Sequence, residues 1–114
     1  MEVMNMIRKQ DLCVKEMPEQ TEKFELEKEL DEKDIQRLKD GYEPYGMDDK
    51  WCTYFEDGKL HIHRSWTGIC IYIVELSTSG KLNIEVNRDQ SQYRERSIEK
   101  DRQILTGLLN WFKK

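Results

Sequence analysis

Apolar and polar residues alternate along several short segments of the chain, and this pattern predicts β-strands. The clearest example is residues 81–87, where leucine, isoleucine and valine alternate with asparagine and glutamate. Residues 69–76 are instead apolar on both faces, as in a central strand that is buried on both sides. The predicted strands span residues 21–30, 51–57, 59–66, 69–76 and 81–87.

Turn residues at regular spacing connect the last four predicted strands. Asp57-Gly58 is a strong hairpin signal, Thr67-Gly68 predicts the next tight turn, and residues 77–80 predict the third. We therefore expect these four strands to form an antiparallel meander. The 21–30 strand is expected to join the sheet through a crossover or to lie at its edge.

Two segments have helical features. Asp31 is the expected N-cap of a helix over residues 32–40, and Ser97 is the expected N-cap of a helix over about 97–113 in which apolar residues repeat at helical spacing. Gly107 lies within the second helix, where glycine is less favourable than alanine. We expect a close contact between the helix and the sheet to explain a glycine at this position. Because the apolar face of a meander must be covered, the sequence predicts an α+β fold with both helices on one face of the sheet.

The length of 114 residues suits one domain. Residues 1–17 are expected to form a short helix or a mobile N-terminal arm that ends before Pro18, and residues 18–114 a single α+β domain. The apolar runs are shorter than a membrane span and the N-terminus lacks a signal-peptide pattern, so no membrane partner and a cytoplasmic location are predicted. Three cysteines without a CxxC pair agree with a reducing compartment.

Charge is distributed unevenly along the chain. The net charge is −4, with −6 in residues 1–50 and +2 in residues 51–114. Neither half has the basic stripe of a nucleic-acid-binding protein, so no nucleic-acid partner is predicted.

The densest group of polar and aromatic residues lies in and around residues 51–66. Arg64 could bind a carboxylate or phosphate, with Trp51 and Trp66 as stacking walls and Tyr45 contributed by the preceding loop. This interpretation predicts a binding or accessory module for a small anionic ligand or a protein partner. The structural alternative is that Arg64 pairs with an acid of residues 48–57 while its stem packs on Trp66.

His61 and His63 are two residues apart on one predicted strand, so both could ligate one metal ion with Cys52 or Cys70 of an adjacent strand. The spacing matches no recognised zinc motif, however. The sequence favours two exposed or hydrogen-bonded histidines on a strand face, and it predicts neither a metal nor a cofactor.

Two further functions remain open at this point. A small hydrolase or transferase would use His63 and Arg64 with a carboxylate such as Asp49 or Glu56. Strict alternation places His63 and Arg64 on opposite faces of their strand, which argues against this form of enzyme and favours a protein without catalytic activity. The other alternative is a structural homo-oligomer joined through sheet edges or the methionine-rich N-terminal arm.

Four short motifs lie close together: D-K-W at 49–51, Y-F-E-D-G at 54–58, H-R-S-W-T-G at 63–68 and I-Y at 71–72. In these motifs, and over most of residues 22–112, the chain resembles a family of small uncharacterised bacterial proteins. Similar segments occur alone or beside ADP-ribosylglycohydrolases. The resemblance implies an accessory or ligand-recognition role in nucleotide or ADP-ribose biology and assigns no catalytic residue.

Overall fold

Five strands and two helices make up the described part of the computed structural model, residues 15–42 and 50–113. The strands form one antiparallel sheet in the order β1-β5-β4-β3-β2. The predicted α+β fold and four-stranded meander are thus confirmed. In chain order the elements are β1 (Thr21–Glu27), α1 (Glu32–Lys39), β2 (Trp51–Glu56), β3 (Lys59–Arg64), β4 (Cys70–Glu75), β5 (Lys81–Asn87) and α2 (Ile98–Phe112).

The first strand lies at the edge of the sheet, which is one of the two positions that the sequence predicts for it. β1 pairs antiparallel with β5, the last strand of the chain, and places Phe24 opposite Ile84. At the other end of the sheet, β2 and β3 form the predicted hairpin. Asp57 and Gly58 both have positive φ angles, 56° and 79°, as a two-residue turn of the type I′ class requires.

Strand β3 is shorter than predicted and ends at Arg64 instead of residue 66. The chain turns there because the Gly68 N–H donates to the Arg64 carbonyl at 2.8 Å, while the Ser65 N–H donates to the Lys50 carbonyl at 2.9 Å. Trp66 therefore lies in the β3–β4 turn, and strand alternation does not determine which way its side chain points.

Strands β3 and β4 are paired with a change of register. Ile62 lies opposite Tyr72, but His63 lies opposite Cys70, so Ile71 is an extra residue on β4. Such a β-bulge kinks one strand and changes which side chain faces its neighbour. Here it places a cysteine, instead of isoleucine, opposite His63.

Both helices cover one face of the sheet. The buried side of α2 contributes Leu105, Leu109 and Phe112 to the hydrophobic core, and α1 contributes Leu38. The sheet contributes apolar side chains from β1, β3, β4 and β5; those buried in the core are Phe24, Leu26, Leu60, Ile62, Ile71, Tyr72, Val74, Leu82, Ile84 and Val86.

The expected close packing of Gly107 on the sheet is wrong. Gly107 is exposed, and a Cβ added to it would meet no atom within 4 Å. The reason is helical geometry: Leu105 and Leu109 face the sheet, and the residue midway between them points to the opposite side of the helix.

The predicted N-terminal arm, residues 1–17, falls mostly outside the described residues. The described chain begins beside the β3–β4 turn, where the Lys15 N–H donates to the Gly68 carbonyl at 2.8 Å. Neither described helix is long and apolar enough to cross a membrane.

Candidate functional site

The two faces of β3 separate the residues that the sequence singles out. Arg64 lies opposite Trp51 of β2, on the face that the helices cover. His63 lies between Cys52 of β2 and Cys70 of β4, on the other face. The candidate residues therefore form two distinct groups. We call Trp51, Arg64 and Trp66 the Arg64 surface, and His61, His63 and Cys70 the His–Cys cluster.

Arg64 stacks on its cross-strand neighbour. The guanidinium carbon lies 5.0 Å from the ring centroid of Trp51, within the range of a cation–π interaction. No carboxylate of the described residues forms an ion pair with Arg64, and the acids of residues 50–57 are among these; Asp48 and Asp49 lie outside them. The guanidinium thus lies over an aromatic ring, and no carboxylate of the described residues neutralises its charge.

Trp66 follows Arg64 by two residues, lies in the β3–β4 turn and is 69% exposed. The turn is held by the backbone bonds of Gly68 and Ser65 described above, and Gly68 has a φ of 76° that disfavours other residues there. The Ser65 bond also brings the backbone of Lys50, whose side chain is exposed, next to the turn. Tyr45, the fourth predicted ligand-binding residue, lies outside the described residues.

The His–Cys cluster lies on the opposite face. One ring nitrogen of His61, one of His63 and the Sγ of Cys70 are all within 4.8 Å of one another. His63 and Cys70 are buried, and His61 is partly buried. Tyr54 of β2 stacks on both imidazoles, with centroid distances of 4.7 Å to His61 and 5.3 Å to His63.

The hydrogen bonding of His63 indicates its tautomer. Its Nδ1 lies 2.9 Å from the Gly68 carbonyl, which can only accept, so Nδ1 carries a proton. In the neutral imidazole the lone pair is then on Nε2. Burial raises the pKa of the Cys70 thiol to about 12, with Glu85 and Glu16 contributing, and burial raises that of Cys52 to about 11. Both thiols are therefore protonated at neutral pH.

An open groove of about 360 Å³ continues this face of the sheet toward β1. It reaches the neighbourhood of the His–Cys cluster because Ile73, which lines it, is the cross-strand partner of His61. None of the residues of the Arg64 surface lines this groove. Side chains that line the groove include Lys23, Lys59, Ile73, Glu75, Asn83 and Glu85.

A buried carboxylate, Asp101 of α2, was not among the sequence candidates. It is fully buried and accepts hydrogen bonds from the hydroxyls of Tyr72 at 2.9 Å and Tyr93 at 2.7 Å. It also pairs with Arg88 at 2.6 Å, and Arg88 reaches Glu22 at 2.8 Å. We call Tyr72, Arg88, Tyr93 and Asp101 the Asp101 network. Because every member has a partner, this network is suited to hold α2 and the preceding loop on the sheet.

A signal for Asp101 was present in the sequence. Residues 98, 101, 105 and 109 share one side of a helix, so an acid at position 101 interrupts the apolar stripe. A carboxylate on a buried face requires donors, and these come from β4 and the 88–97 loop, which no local pattern identifies.

The residues of the proposed hydrolase or transferase are not brought together. His63 and Arg64 point to opposite faces of the sheet. Glu56 is exposed at the hairpin end of β2, four strand residues or about 14 Å from the level of His63, and Asp49 lies outside the described residues.

Comparisons of the chain with protein-family models, with curated proteins and with solved structures give no match. The resemblance in residues 49–72 stays a prediction.

Proposed function

We propose that this protein is a non-catalytic binding module that recognises an anionic, nucleotide-like ligand through the Arg64 surface. The observation that carries the proposal is the geometry of Arg64, stacked on Trp51 and without an ion pair to any described carboxylate. A partly buried arginine in this condition can form strong, bidentate hydrogen bonds to a phosphate or carboxylate.

The tryptophans add a second type of contact. The contact with Trp51 restricts the Arg64 side chain before a ligand binds, which reduces the entropy lost on binding. Trp66 exposes most of its indole on the adjacent turn and offers a flat apolar surface to an aromatic base. A nucleotide joins an anionic group to a planar ring, so it would contact both the guanidinium of Arg64 and the indole of Trp66.

ADP-ribose is the first ligand to test, because residues 49–72 resemble segments found beside ADP-ribosylglycohydrolases. It combines two phosphates with an adenine ring, the two groups for which the Arg64 surface offers contacts. A protein partner would also use an exposed tryptophan, but it would not require a guanidinium that has no ion pair with a carboxylate of residues 15–42 or 50–113.

Isothermal titration calorimetry with ADP-ribose, ADP, pyrophosphate and adenosine tests the proposal. We expect the anionic adenine compounds to bind more tightly than adenosine or pyrophosphate. Arg64→Ala should weaken this binding roughly 10- to 100-fold, the equivalent of the 1.5–3 kcal/mol of a hydrogen bond to a charged group. Arg94→Ala is the matched control, since Arg94 is exposed and its loss changes the net charge equally.

Unchanged binding in Arg64→Ala, or an equal loss in Arg94→Ala, would contradict the proposal. Failure of all four compounds to bind the natural protein would contradict it as well. Circular dichroism of each variant establishes that the fold is retained.

The homo-oligomer alternative receives less support from the edges of the sheet. The outer edge of β2 is partly occupied, because Thr53 exchanges two backbone hydrogen bonds with Tyr42, at 2.9 and 3.1 Å. The outer strand β1 is rich in glutamate and lysine, which discourage edge-to-edge pairing.

A further inference from the structure

We propose that the His–Cys cluster is a metal site, in which His61, His63 and Cys70 bind one Zn²⁺ ion. This site is independent of the proposed ligand surface, because it lies on the opposite face of the sheet. It differs from the sequence prediction, in which the two histidines were exposed or hydrogen-bonded and no metal was expected.

The positions of the ligand atoms fit a metal ion after a small closure. Two nitrogens and one sulfur lie within 4.8 Å of one another. In a tetrahedral zinc site the corresponding ligand atoms are about 3.3–3.6 Å apart, given Zn–N and Zn–S bonds of about 2.0–2.1 and 2.3 Å. Side-chain rotations that bring these atoms together by up to about 1.5 Å would complete the site. Imidazole and thiolate are the ligand types that zinc prefers.

The β-bulge of β4 creates the cluster. Continuation of the Ile62–Tyr72 register would place Ile71 opposite His63, and an isoleucine cannot bind a metal. The extra residue shifts the register so that the thiol of Cys70 faces His63 instead. Bulges are over-represented next to functional sites, where they change the direction of a side chain.

His63 also has the outer hydrogen bond of a metal-binding histidine. Its Nδ1–H donates to the Gly68 carbonyl at 2.9 Å, which fixes the ring orientation and directs the Nε2 lone pair away from the turn. The same carbonyl accepts the Lys15 N–H at 2.8 Å, so its position is fixed from two sides.

Charge and access favour a cation. Glu85 of β5 lies in the same cross-strand row as His61, since Ile73 is the partner of both, and the negative potential of its carboxylate on this face attracts a positive ion. The open groove is lined by Ile73, the cross-strand partner of His61, and His61 is itself only partly buried, so this side of the cluster is accessible from solvent. Three protein ligands leave a fourth tetrahedral position for water or another small ligand.

Metal binding proceeds by displacement of a proton. The S–H bond of Cys70 breaks, the sulfur electron pair forms the Zn–S bond, and one proton is released to solvent. His61 and His63 bind through neutral nitrogens. No atom changes its oxidation state.

Cobalt titration tests the site on reduced protein prepared without a polyhistidine tag. Co²⁺ is used because a thiolate–Co²⁺ bond gives an intense charge-transfer band and a tetrahedral site gives strong visible d–d bands. We expect both bands to saturate at one ion per chain and to disappear when Zn²⁺ is added. In a weakly buffered solution the pH should fall by an amount equivalent to about one proton per ion.

Variants of matched burial identify the ligands. Cys70→Ser should remove the charge-transfer band, while Cys52→Ser should retain it, because both are buried cysteines opposite His63 but only Cys70 belongs to the cluster. His61→Ala, at a partly buried position, should weaken binding by more than the roughly 10–100-fold that loss of an outer-sphere partner costs. Circular dichroism monitors the fold.

The proposal is overturned if no saturable cobalt bands appear, if the charge-transfer band persists in Cys70→Ser, or if His61→Ala binds cobalt as tightly as the natural protein. A charge-transfer band that is lost in Cys52→Ser and kept in Cys70→Ser also overturns it. Arg64→Ala should bind cobalt normally, which separates failure of this site from failure of the Arg64 surface.

Discussion

Asp101 shows how one residue can hold several elements together. It lies on a helix whose neighbouring positions are apolar, and it is fully buried. An unpaired carboxylate there would be strongly destabilising, but Tyr72, Tyr93 and Arg88 satisfy it with three hydrogen bonds. The network therefore joins α2, β4 and the loop between β5 and α2.

The same network makes the stability depend on pH in the alkaline range. Burial raises the pKa of Tyr72, and hydrogen bonds with Tyr93 and Asp101 add to this; burial and Asp101 raise the pKa of Tyr93. Both phenols therefore keep their protons in the folded protein above pH 10, where they ionise in the unfolded chain. Their contribution to stability is complete below about pH 10 and is lost as the pH rises further.

Tyr93→Phe tests this dependence. Each such phenol lowers the free energy of unfolding by about 1.4 kcal/mol per pH unit above its unfolded pKa. Phenylalanine cannot ionise, so Tyr93→Phe lacks the contribution of one phenol. Between roughly pH 10 and 11 we therefore expect its free energy of unfolding to fall by about 1 kcal/mol less than that of the natural protein. Urea unfolding at several pH values with a reductant present measures both slopes, and parallel curves would show that Tyr93 ionises equally well in the folded state.

Sequence reasoning at the residue scale succeeded where strand alternation holds. It placed His63 and Arg64 on opposite faces, and the structure agrees. It did not identify Cys70 as the neighbour of His63 in place of Ile71, because the bulge changes the register and leaves no mark in the alternation. Partners across strands depend on register, which a single strand does not encode.

At the scale of elements, the sequence located all five strands and both helices. Local signals were responsible: Asp57-Gly58 for the hairpin, and Asp31 for the cap of α1, where its side chain accepts the Asp34 N–H at 2.7 Å. The end of β3 was missed by two residues because the chain leaves the strand where the Ser65 N–H bonds to the carbonyl of Lys50, a residue far away in the sequence.

Gly107→Ala should stabilise the protein. An alanine Cβ meets no atom within 4 Å at this exposed helix position, so the helix gains without a packing cost. We expect the free energy of unfolding to rise by about 0.5–1 kcal/mol. Gly58→Ala is the matched comparison: it too has open space, but its φ of 79° is unfavourable to alanine, so it should lower the stability by about 1 kcal/mol.

Chemical denaturation of the two glycine variants measures these changes. A loss of stability in Gly107→Ala would mean that position 107 is closely packed in solution, contrary to its exposure in the structure. A neutral result for Gly58→Ala would contradict the hairpin geometry at Asp57-Gly58.

At the scale of the whole molecule, one sheet presents two different surfaces. Trp51 and Arg64 of the Arg64 surface lie on the helix-covered face, at one end of the β2–β3 pair. The other face carries the His–Cys cluster and the adjoining groove. The sequence suggested the fold and the residues of the Arg64 surface. It could not establish that Arg64 lacks an ion pair with the acids of residues 50–57, because this depends on side-chain placement across two strands.

The three tryptophans allow the proposed ligand surface to be tested most directly. Each indole N–H gives one signal in a ¹H–¹⁵N spectrum, and single Trp→Phe variants assign the three signals. Trp51 and Trp66 belong to the Arg64 surface, whereas Trp111 is exposed on α2 and serves as an internal control. In a titration with ADP-ribose we predict that the signals of Trp51 and Trp66 shift together and saturably while that of Trp111 stays in place. A shift confined to Trp111, or no shift of Trp51 and Trp66 at saturating ligand, would contradict recognition through the Arg64 surface.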